Sequence, residues 1–527
     1  MAAFTDVPLS PAQLLDRAAS VFASRTAIID GERRFTYRNF GERAHRLAGL
    51  LAEAGVQPGD RVAAFCVNSH VMLELHNGVP MAGAVLVPMN IRLSAGELSY
   101  IVEHSGARLL IATEELADTA RRIAENTGVR LVFGGSPNTE YERLLASARL
   151  HSVPCTDEKE LLAINYTSGS TGRPKGVMYT HRGAYLQALS VAYHARMGLD
   201  SAYLWTLPMF HCDGWCFTWG VTAASATHVC LRKADPALAW SMICDCGITH
   251  LCGAPTVLTM LAEAAAAAPE RRPSRPMQAI VGGAPPSPAL LARLAGLSIK
   301  VTHMYGLTES YGPASLCQWQ PEWSAESPER QARLNARQGI PTVVTAGADV
   351  FDADGHSVPW DGETMGEIVL RGNNTMLGYY RNDEATGRAT IGGWFRTGDL
   401  GVRHPDGYIE LRDRAKDIII TGGENVASVE VERALVEHPA VLEAAVVGRS
   451  DEKWGEIPVA FVVLRQGQSA TAAELIEFVR SRIAHFKAPK EIRFEELPKT
   501  STGKVQKHVL RERVTAGGTG SPNTVSR

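Results

Sequence analysis

No window of the sequence approaches the roughly 20 uninterrupted apolar residues of a membrane-spanning helix. The alanine run 264–268, the nearest thing to one, is fenced by Glu263 and Glu270. No basic stretch followed by an apolar one opens the chain, so a signal peptide is not expected. Neither sign of charge dominates: 53 Lys plus Arg face 56 Asp plus Glu, a formal net charge of −3, and nothing draws the chain to nucleic acid or an anionic membrane. Cysteine is sparse, nine residues scattered over 527, which excludes a secreted disulfide framework and leads to a reducing, cytoplasmic setting. There is no internal repeat. What remains is an ordinary globular composition, 45% apolar and 21% charged. At roughly 100–200 residues per domain the chain is too long for one core, and two to four folding units are expected.

Six of the cysteines fall between Cys212 and Cys252, and Cys244, Cys246 and His250 invite a metal reading. Structural zinc sites use paired C-x(2–4)-C units, whereas these residues alternate with Ile243, Ile248 and Leu251, so a core role is expected. Apolar runs of strand length at 61–67, 84–88, 108–112, 161–166, 279–281 and 300–304 alternate with helical patterns. That alternation indicates an α/β fold with largely parallel sheets. The stretch 269–276 reads as a surface loop and 318–336 as a long polar connection. From 362 onward short strands punctuated by Gly and Asn, as in 366–371, suit a small barrel or antiparallel sheet. After Arg412 a compact α+β unit follows, with helices at 429–437 and 472–483 and strands at 442–448, 458–464 and 491–495. Residues 515–527 lack periodicity and are expected to be disordered.

The strongest local pattern is Tyr166-Thr-Ser-Gly-Ser-Thr-Gly-Arg-Pro-Lys-Gly-Val177, directly after an expected buried strand. Gly169, Gly172 and Gly176 let backbone approach a ligand closely. Thr167, Ser168, Ser170 and Thr171 supply hydroxyls and Lys175 a cation, a set that fits a polyphosphate. The spacing G-x-x-x-x-G-K-[ST] is missing, which excludes a P-loop NTPase. A plain flexible linker lacks a positioned lysine.

This segment resembles the phosphate loop of the adenylate-forming (AMP-binding) superfamily of acyl-CoA synthetases, carrier-loading adenylation domains and firefly-type luciferases. Other motifs stand in the family's order: Met209-Phe-His-Cys-Asp-Gly-Trp215, Gly282-Gly-Ala284, Tyr305-Gly-Leu-Thr-Glu-Ser310, Arg396-Thr-Gly-Asp399, Asp413-Arg-Ala-Lys-Asp417 and Pro498-Lys-Thr-Ser-Thr-Gly-Lys504. They extend over nearly the whole chain. The resemblance implies a large N-terminal α/β domain with parallel sheets and a small β-barrel-like part, plus a small mobile α+β C-terminal lid domain. The expected boundaries are 1–411 for the first domain, 412–417 for a hinge, 418–514 for the lid and 515–527 for a tail.

A carboxylate is a poor electrophile, so such enzymes first make an acyl-adenylate and pyrophosphate from ATP, then let a nucleophile displace AMP. Attack on the α-phosphate needs charge neutralisation and positioning more than acid/base groups. By resemblance, Thr167 to Lys175 would wrap the β- and γ-phosphates, Thr308 would touch the α-phosphate and Glu309 would hold Mg2+ with waters. Asp399 would accept from both ribose hydroxyls, with Arg414 reaching the same sugar. Tyr305, Gly306 and the turn Gly282, Gly283, Ala284 would flank adenine and acyl group. Lys504 would bridge carboxylate and α-phosphate oxygens. Lys416 aligns with the hinge, and Gly422, Gly423 and Trp454 with the hinge and CoA.

His211, Asp213 and Trp215 fall on the loop expected to line the acyl tunnel. His211 has two open readings, a packing residue or one that gates the acyl group. Asp213 stands where similar members of the family carry Asn, and it too has two: an Asx-turn before Gly214, or recognition of an amino or hydroxyl group on the acid.

The resemblance therefore implies an ATP- and Mg2+-dependent acid:CoA ligase for a short-to-medium-chain or aryl carboxylic acid. It is expected in the cytoplasm, with fatty acid metabolism as its setting and a homodimer as one assembly open to it. CoA is favoured as acceptor because the chain ends soon after the lid without a carrier domain. Thr421-Gly-Gly-Glu-Asn-Val426 and Asp451-Glu-Lys-Trp-Gly455 resemble CoA ligases as well. The alternative is a pathway-dedicated enzyme that loads a carrier protein or activates another acid, such as nitrite for diazo formation. A luciferase-like oxygenase is disfavoured because similarity of fold does not transfer function, and a non-catalytic nucleotide-binding protein because Lys175, Glu309, Asp399 and Lys504 are all present.

Overall fold

The computed structural model describes residues 7–167, 173–283, 286, 288–422, 424–451, 453–499 and 505–516. Its first sheet has six strands in the order Arg130–Gly134, Ala107–Thr113, Arg61–Phe65, Val85–Pro88, Leu161–Thr167 and Lys175–Thr180. The first five pair in parallel and the last is antiparallel. Strands such as Val85–Pro88 are buried throughout, as two-sided cover by helices requires. The covering helices have local start signals. Ser69 caps His70–Met81, and Ser94 with Glu97 forms a capping box on Ala95–Ser105, which ends at the left-handed Gly106.

A nine-stranded sheet has the order Ile340–Pro341, Gly312–Leu316, Ile299–Leu307, Met277–Val281, His250–Gly253, Ala202–Leu204, Thr227–Cys230, Thr26–Asp30 and Arg33–Thr36. It is parallel from Ile299–Leu307 to Thr26–Asp30 and antiparallel at its edges. The expected α/β architecture is therefore present. Gly347–Phe351, Gly366–Arg371, Thr390–Ile391, Trp394–Arg403 and Ile409–Arg414 make a five-stranded sheet, the barrel-like part.

The chain divides into two compact units, Met1–Ala348 with Leu370–Phe395, and Asp349–Val369 with Arg396–Arg527. The second unit holds a C-terminal α+β sheet ordered Glu424–Val426, Ile419–Thr421, Gly455–Leu464 and Val441–Asp451, with Glu491–Phe494 parallel to Gly455–Leu464. Helices Ser428–Val436 and Ala472–Arg480 cover it through Val431, Leu435, Leu475 and Val479.

Two expectations need correction. The connection 318–336 contains a 3-10 helix, Pro321–Ala325, and an α-helix, Pro328–Asn335. Each opens on a proline, whose fixed φ suits a first turn, and the Arg337 guanidinium lies 5.1 Å from the Trp323 ring centre. Thr515 and Ala516, placed in the tail, close the helix Lys507–Ala516, where the Thr515 hydroxyl donates to Arg511 O at 2.8 Å. The rest of that tail, 517–527, lies outside the described residues. Cys244 and Cys246 pack against the cluster containing Ile243 and Leu251. His250 is occupied by Ala195 O at 2.9 Å and the Thr249 hydroxyl at 2.7 Å, as a core residue would be. No helix among the described residues is long and apolar enough to cross a membrane.

Candidate active site

Several sequence candidates of the first unit fall at the carboxyl ends of strands, where α/β sheets bind ligands. Thr167 closes Leu161–Thr167 and pairs directly with Lys175, so the two ends of the expected phosphate loop are stapled together. Ser168, Gly169, Ser170, Thr171 and Gly172 lie outside the described residues. The Lys175 ammonium sits 4.9 Å from the centre of the Tyr379 ring.

Thr308 and Glu309 occupy the 3-10 turn Thr308–Ser310 between Ile299–Leu307 and Gly312–Leu316. The Ser310 hydroxyl locks it, accepting from Leu307 N–H at 2.9 Å and donating to Gly312 O at 2.7 Å. Tyr179, stacked on Tyr311 with ring centres 3.8 Å apart, donates its hydroxyl proton to Thr308 O at 2.5 Å. The Glu309 carboxylate accepts from the Tyr379 hydroxyl at 2.8 Å. Burial, with the adjacent Glu309 charge, holds that phenol far above its usual range, so it stays a donor. Half-buried Tyr305 and exposed Gly306 lie on the strand leading into this turn. A Cβ at Gly306 would fall 1.9 Å from Gly312 O, which leaves glycine as the residue that fits.

The segment expected to line the acyl tunnel folds in a way its sequence does not announce. Cys212, Asp213, Gly214, Trp215 and Cys216 all have φ between 47° and 61°, one turn of left-handed backbone. Four of them carry side chains, at roughly 1–2 kcal/mol each. Backbone bonds from Trp215 N to His211 O and from Cys216 N to Asp213 O hold the turn, and the Thr218 hydroxyl donates to Asp213 O at 3.0 Å. The Cys212 thiol donates to the Thr308 hydroxyl at 3.4 Å, joining the turn to the Thr308 segment. Half-buried His211 precedes it. The Trp215 indole lies on Gly282, where a Cβ would meet it at 2.6 Å, and a Cβ on Gly312 would meet Trp215 Cα at 3.0 Å. Gly283 follows at φ 87°, and Ala284 lies outside the described residues.

Asp213 is 0% exposed. Its N–H donates to Asn165 Oδ1 at 3.1 Å, but among the described residues neither carboxylate oxygen has a hydrogen-bond partner, and neither does Asn165 Nδ2. The turn-capping bond expected of an Asp-Gly pair is not made. Burial pushes the carboxyl up to about 7, against a smaller opposing pull from the Asn165 side chain.

In the second unit Asp399 and Arg414 face each other on paired strands, with Arg414 Nε 3.0 Å from Asp399 Oδ1. Asp413, nearly fully buried, accepts from Arg414 N–H at 2.7 Å and from the Ser428 hydroxyl at 2.6 Å. Asp417 pairs with Arg511. Lys416 itself is exposed, yet partial desolvation of its ammonium, with Arg414 and Arg511 beside it, presses it down to about 8. Gly422, at φ 59°, donates its N–H to Trp454 O at 2.8 Å and lies against the half-exposed Trp454 ring. Gly423 and Lys504 lie outside the described residues.

Within the first unit, then, Lys175, Glu309, Thr308 and the 212–216 turn form one connected set. Asp399, Arg414 and Lys416 form another in the second unit. Sequence reading missed Tyr379, Tyr179 and Asn165. A Tyr-Tyr pair after Gly378 was the only trace of the first, and the 70 residues between Tyr379 and Glu309 hid the contact.

Comparison with known proteins gives the following. The model of the AMP-binding enzyme family matches residues 15–380, and that of the AMP-binding enzyme C-terminal domain matches residues 430–504. A peroxisomal acetate/butyrate–CoA ligase of Arabidopsis thaliana is 42% identical, with 95% of this chain and 94% of that protein covered. The 4-hydroxybutyrate–CoA ligase 2 of Metallosphaera sedula is 41% identical, with 96% and 95% covered. Among solved structures, an anthranilate CoA ligase in complex with anthranoyl-AMP superposes with a TM-score of 0.86 at 26% identity, covering 98% of this chain and 99% of that one. ATP-bound MatB from Rhodopseudomonas palustris gives 0.83 at 28% identity, with 95% and 98% covered.

Proposed function

We propose, from the fact that this chain belongs to the family of AMP-binding enzymes, that it is an AMP-forming acid:CoA ligase. Its substrate is a short-to-medium-chain or aryl carboxylic acid. The observation that carries the reading is the connected set Lys175, Tyr379, Glu309, Thr308 and Cys212, which puts a cation, a carboxylate and a hydroxyl on adjoining backbone turns. The coverage of CoA ligases over nearly their whole length supports the same reaction. The Trp215 indole against Gly282 favours a small acyl group by filling space beside the strand end.

In this reading Lys175 and the loop from Thr167 neutralise the β- and γ-phosphates, and the Thr308 hydroxyl orients the α-phosphate for attack by the substrate carboxylate. Asp399 and Arg414 hold the ribose. Lys504 balances charge that builds between carboxylate and α-phosphate as the acyl–O–P bond forms and pyrophosphate leaves. Glu309 suits Mg2+: it is a half-buried hard-oxygen donor, and no cation pairs with it among the described residues. The ion would supply charge neutralisation at the phosphates. The CoA thiolate then attacks the acyl carbon and AMP departs, with Lys416 as the hinge and Gly422, Gly423 and Trp454 toward the thiol substrate. The cytoplasm is the proposed compartment and acyl-CoA supply the proposed setting, although the acetate/butyrate ligase named above is peroxisomal.

The test is pyrophosphate release from a panel of acids, with thioester measured in parallel. The reading expects acid-dependent pyrophosphate release and a thioester with CoA. Adenylate that passes only to a carrier protein or another nucleophile would favour the pathway-dedicated alternative, and no acid-dependent release would end both.

A further inference from the structure

Tyr379 joins two functional parts of the first unit through opposite features of one side chain. The segment 376–380 runs along the strand Lys175–Thr180. Leu377 N–H donates to Met178 O, Met178 N–H to Gly378 O, and Tyr380 N–H to Gly176 O, at 2.7–3.0 Å. Its near end is tied to the Thr308–Ser310 turn, where Met376 N–H donates to Glu309 O at 2.8 Å, and Tyr379 N–H donates to the Thr386 hydroxyl at 2.9 Å. So pinned, and 8% exposed, the phenol directs its hydroxyl at Glu309 Oε1, 2.8 Å away, while the Lys175 ammonium lies 4.9 Å from its ring centre. A tyrosine serves both at once because its O–H donates near the ring plane and its π face attracts a cation from above. Lys175 and Glu309 carry opposite charges on adjoining backbone, yet no ion pair joins them among the described residues. One side chain thus contacts both the cation, through its ring, and the anion, through its hydroxyl.

We propose that Tyr379 is a positioning residue for adenylate formation: its hydroxyl aims the Glu309 carboxylate and its ring the Lys175 ammonium, each at its own ligand. This rests on the reading that Glu309 serves a metal ion and Lys175 the phosphates. Groups that orient a metal-binding carboxylate commonly carry 10- to 100-fold in metal affinity, so the hydroxyl and the ring are separable by substitution. Tyr379→Phe keeps the ring and removes the donor. Tyr379→Leu removes both.

Mn2+ titrated into full-length enzyme with ATP, read as loss of the free-ion EPR signal, reports the carboxylate. Calorimetry of ATP binding without metal reports the ammonium. Tyr379→Phe is expected to weaken Mn2+ binding about tenfold while metal-free ATP affinity stays within about twofold. Tyr379→Leu is expected to weaken both. In a Glu309→Gln background Tyr379→Phe should add no further Mn2+ loss, since the two act through one contact. Thermal unfolding of each variant checks folding, and the Phe arm stands alone if the Leu variant does not fold. Unchanged Mn2+ affinity in Tyr379→Phe, or full additivity with Glu309→Gln, overturns the proposal. If wild-type enzyme binds Mn2+ and ATP and forms adenylate while the variants match it, only the role of Tyr379 falls. If wild type binds no ATP, the functional reading falls and takes this inference with it.

Discussion

Around the helices Tyr37–Glu53 and His70–Met81 the first unit buries acids beside bases, whereas at the left-handed turn it buries Asp213 with no hydrogen-bond partner for either oxygen among the described residues. In the paired region Arg43 Nε meets the wholly buried Glu74 at 2.5 Å and Nη1 meets Glu142 at 2.8 Å. Asp30 takes His70 Nδ1 at 2.5 Å and Arg232 Nε at 2.7 Å. Burial alone would push Asp30 and Glu142 up, yet hydrogen bonds from His70 to both, from Arg232 to Asp30 and from Arg43 to Glu142, outweigh it and hold both well below the carboxylate range. Asp213, fully buried and without a cationic partner among the described residues, rises to about 7. Depth does not decide whether a buried acid stays ionised. Its partners do.

The harshest way to break this comparison is to orphan a charge in the paired region. Arg43→Ala leaves Glu74 and Glu142 without their guanidinium and is expected to cost about 3–5 kcal/mol, read as a lowered urea midpoint. Replacing Arg43 and Glu74 together by Met and Leu should return most of that loss.

Asp213→Asn tests the other side. A folded value near 7 against an ordinary one of 3.8 means that folded protein binds a proton the unfolded chain has released between those values. The wild type therefore pays nothing below about pH 4, loses stability as pH rises from there to 7, and is level above. Asp213→Asn should gain roughly 2 kcal/mol on wild type between pH 5 and pH 7, with no further gain by pH 8. A constant offset across that range would mean that Asp213 is ionised throughout.

The paired acids carry the opposite sign. Asp30 and Glu142 add stability above the ordinary carboxylate range that fades as pH falls below about 4. Glu142→Gln should flatten that acid limb in thermal melts, by about 1–2 kcal/mol. The smallest effect belongs to pairing without burial: on the exposed helix Asp383–Arg388, Glu384→Gln removes the partner of Arg388 and should shift stability by less than about 0.5 kcal/mol.

What the sequence made legible was local. The loop from Thr167 to Lys175 stands out because small residues follow a strand and end on a lysine, and Gly282 and Thr308 because turns follow buried runs. Parallel strands were readable from apolar runs whose both faces are covered. Contacts between distant segments were not, since nothing near Tyr379 announces Glu309, and nothing near Glu74 announces Arg43. Asp213 misled for a different reason. Asp-Gly is a common turn pair, but five successive left-handed residues, set by packing of Trp215 and Thr218, point its carboxylate away from the bond it would otherwise make.

The cysteines, first met as an argument about compartments, also make a clock. Six of the nine are buried, including Cys212 and Cys216 in the left-handed turn. Burial pushes the Cys212 thiol up to about 12, so at neutral pH it is inert while covered and reacts only when the turn opens to solvent. A thiol reagent meets Cys155, Cys244 and Cys246 first, and the slower counts record how often each interior segment opens. The left-handed turn thus carries its own labels at positions 212 and 216, and its breathing can be timed in unmodified protein.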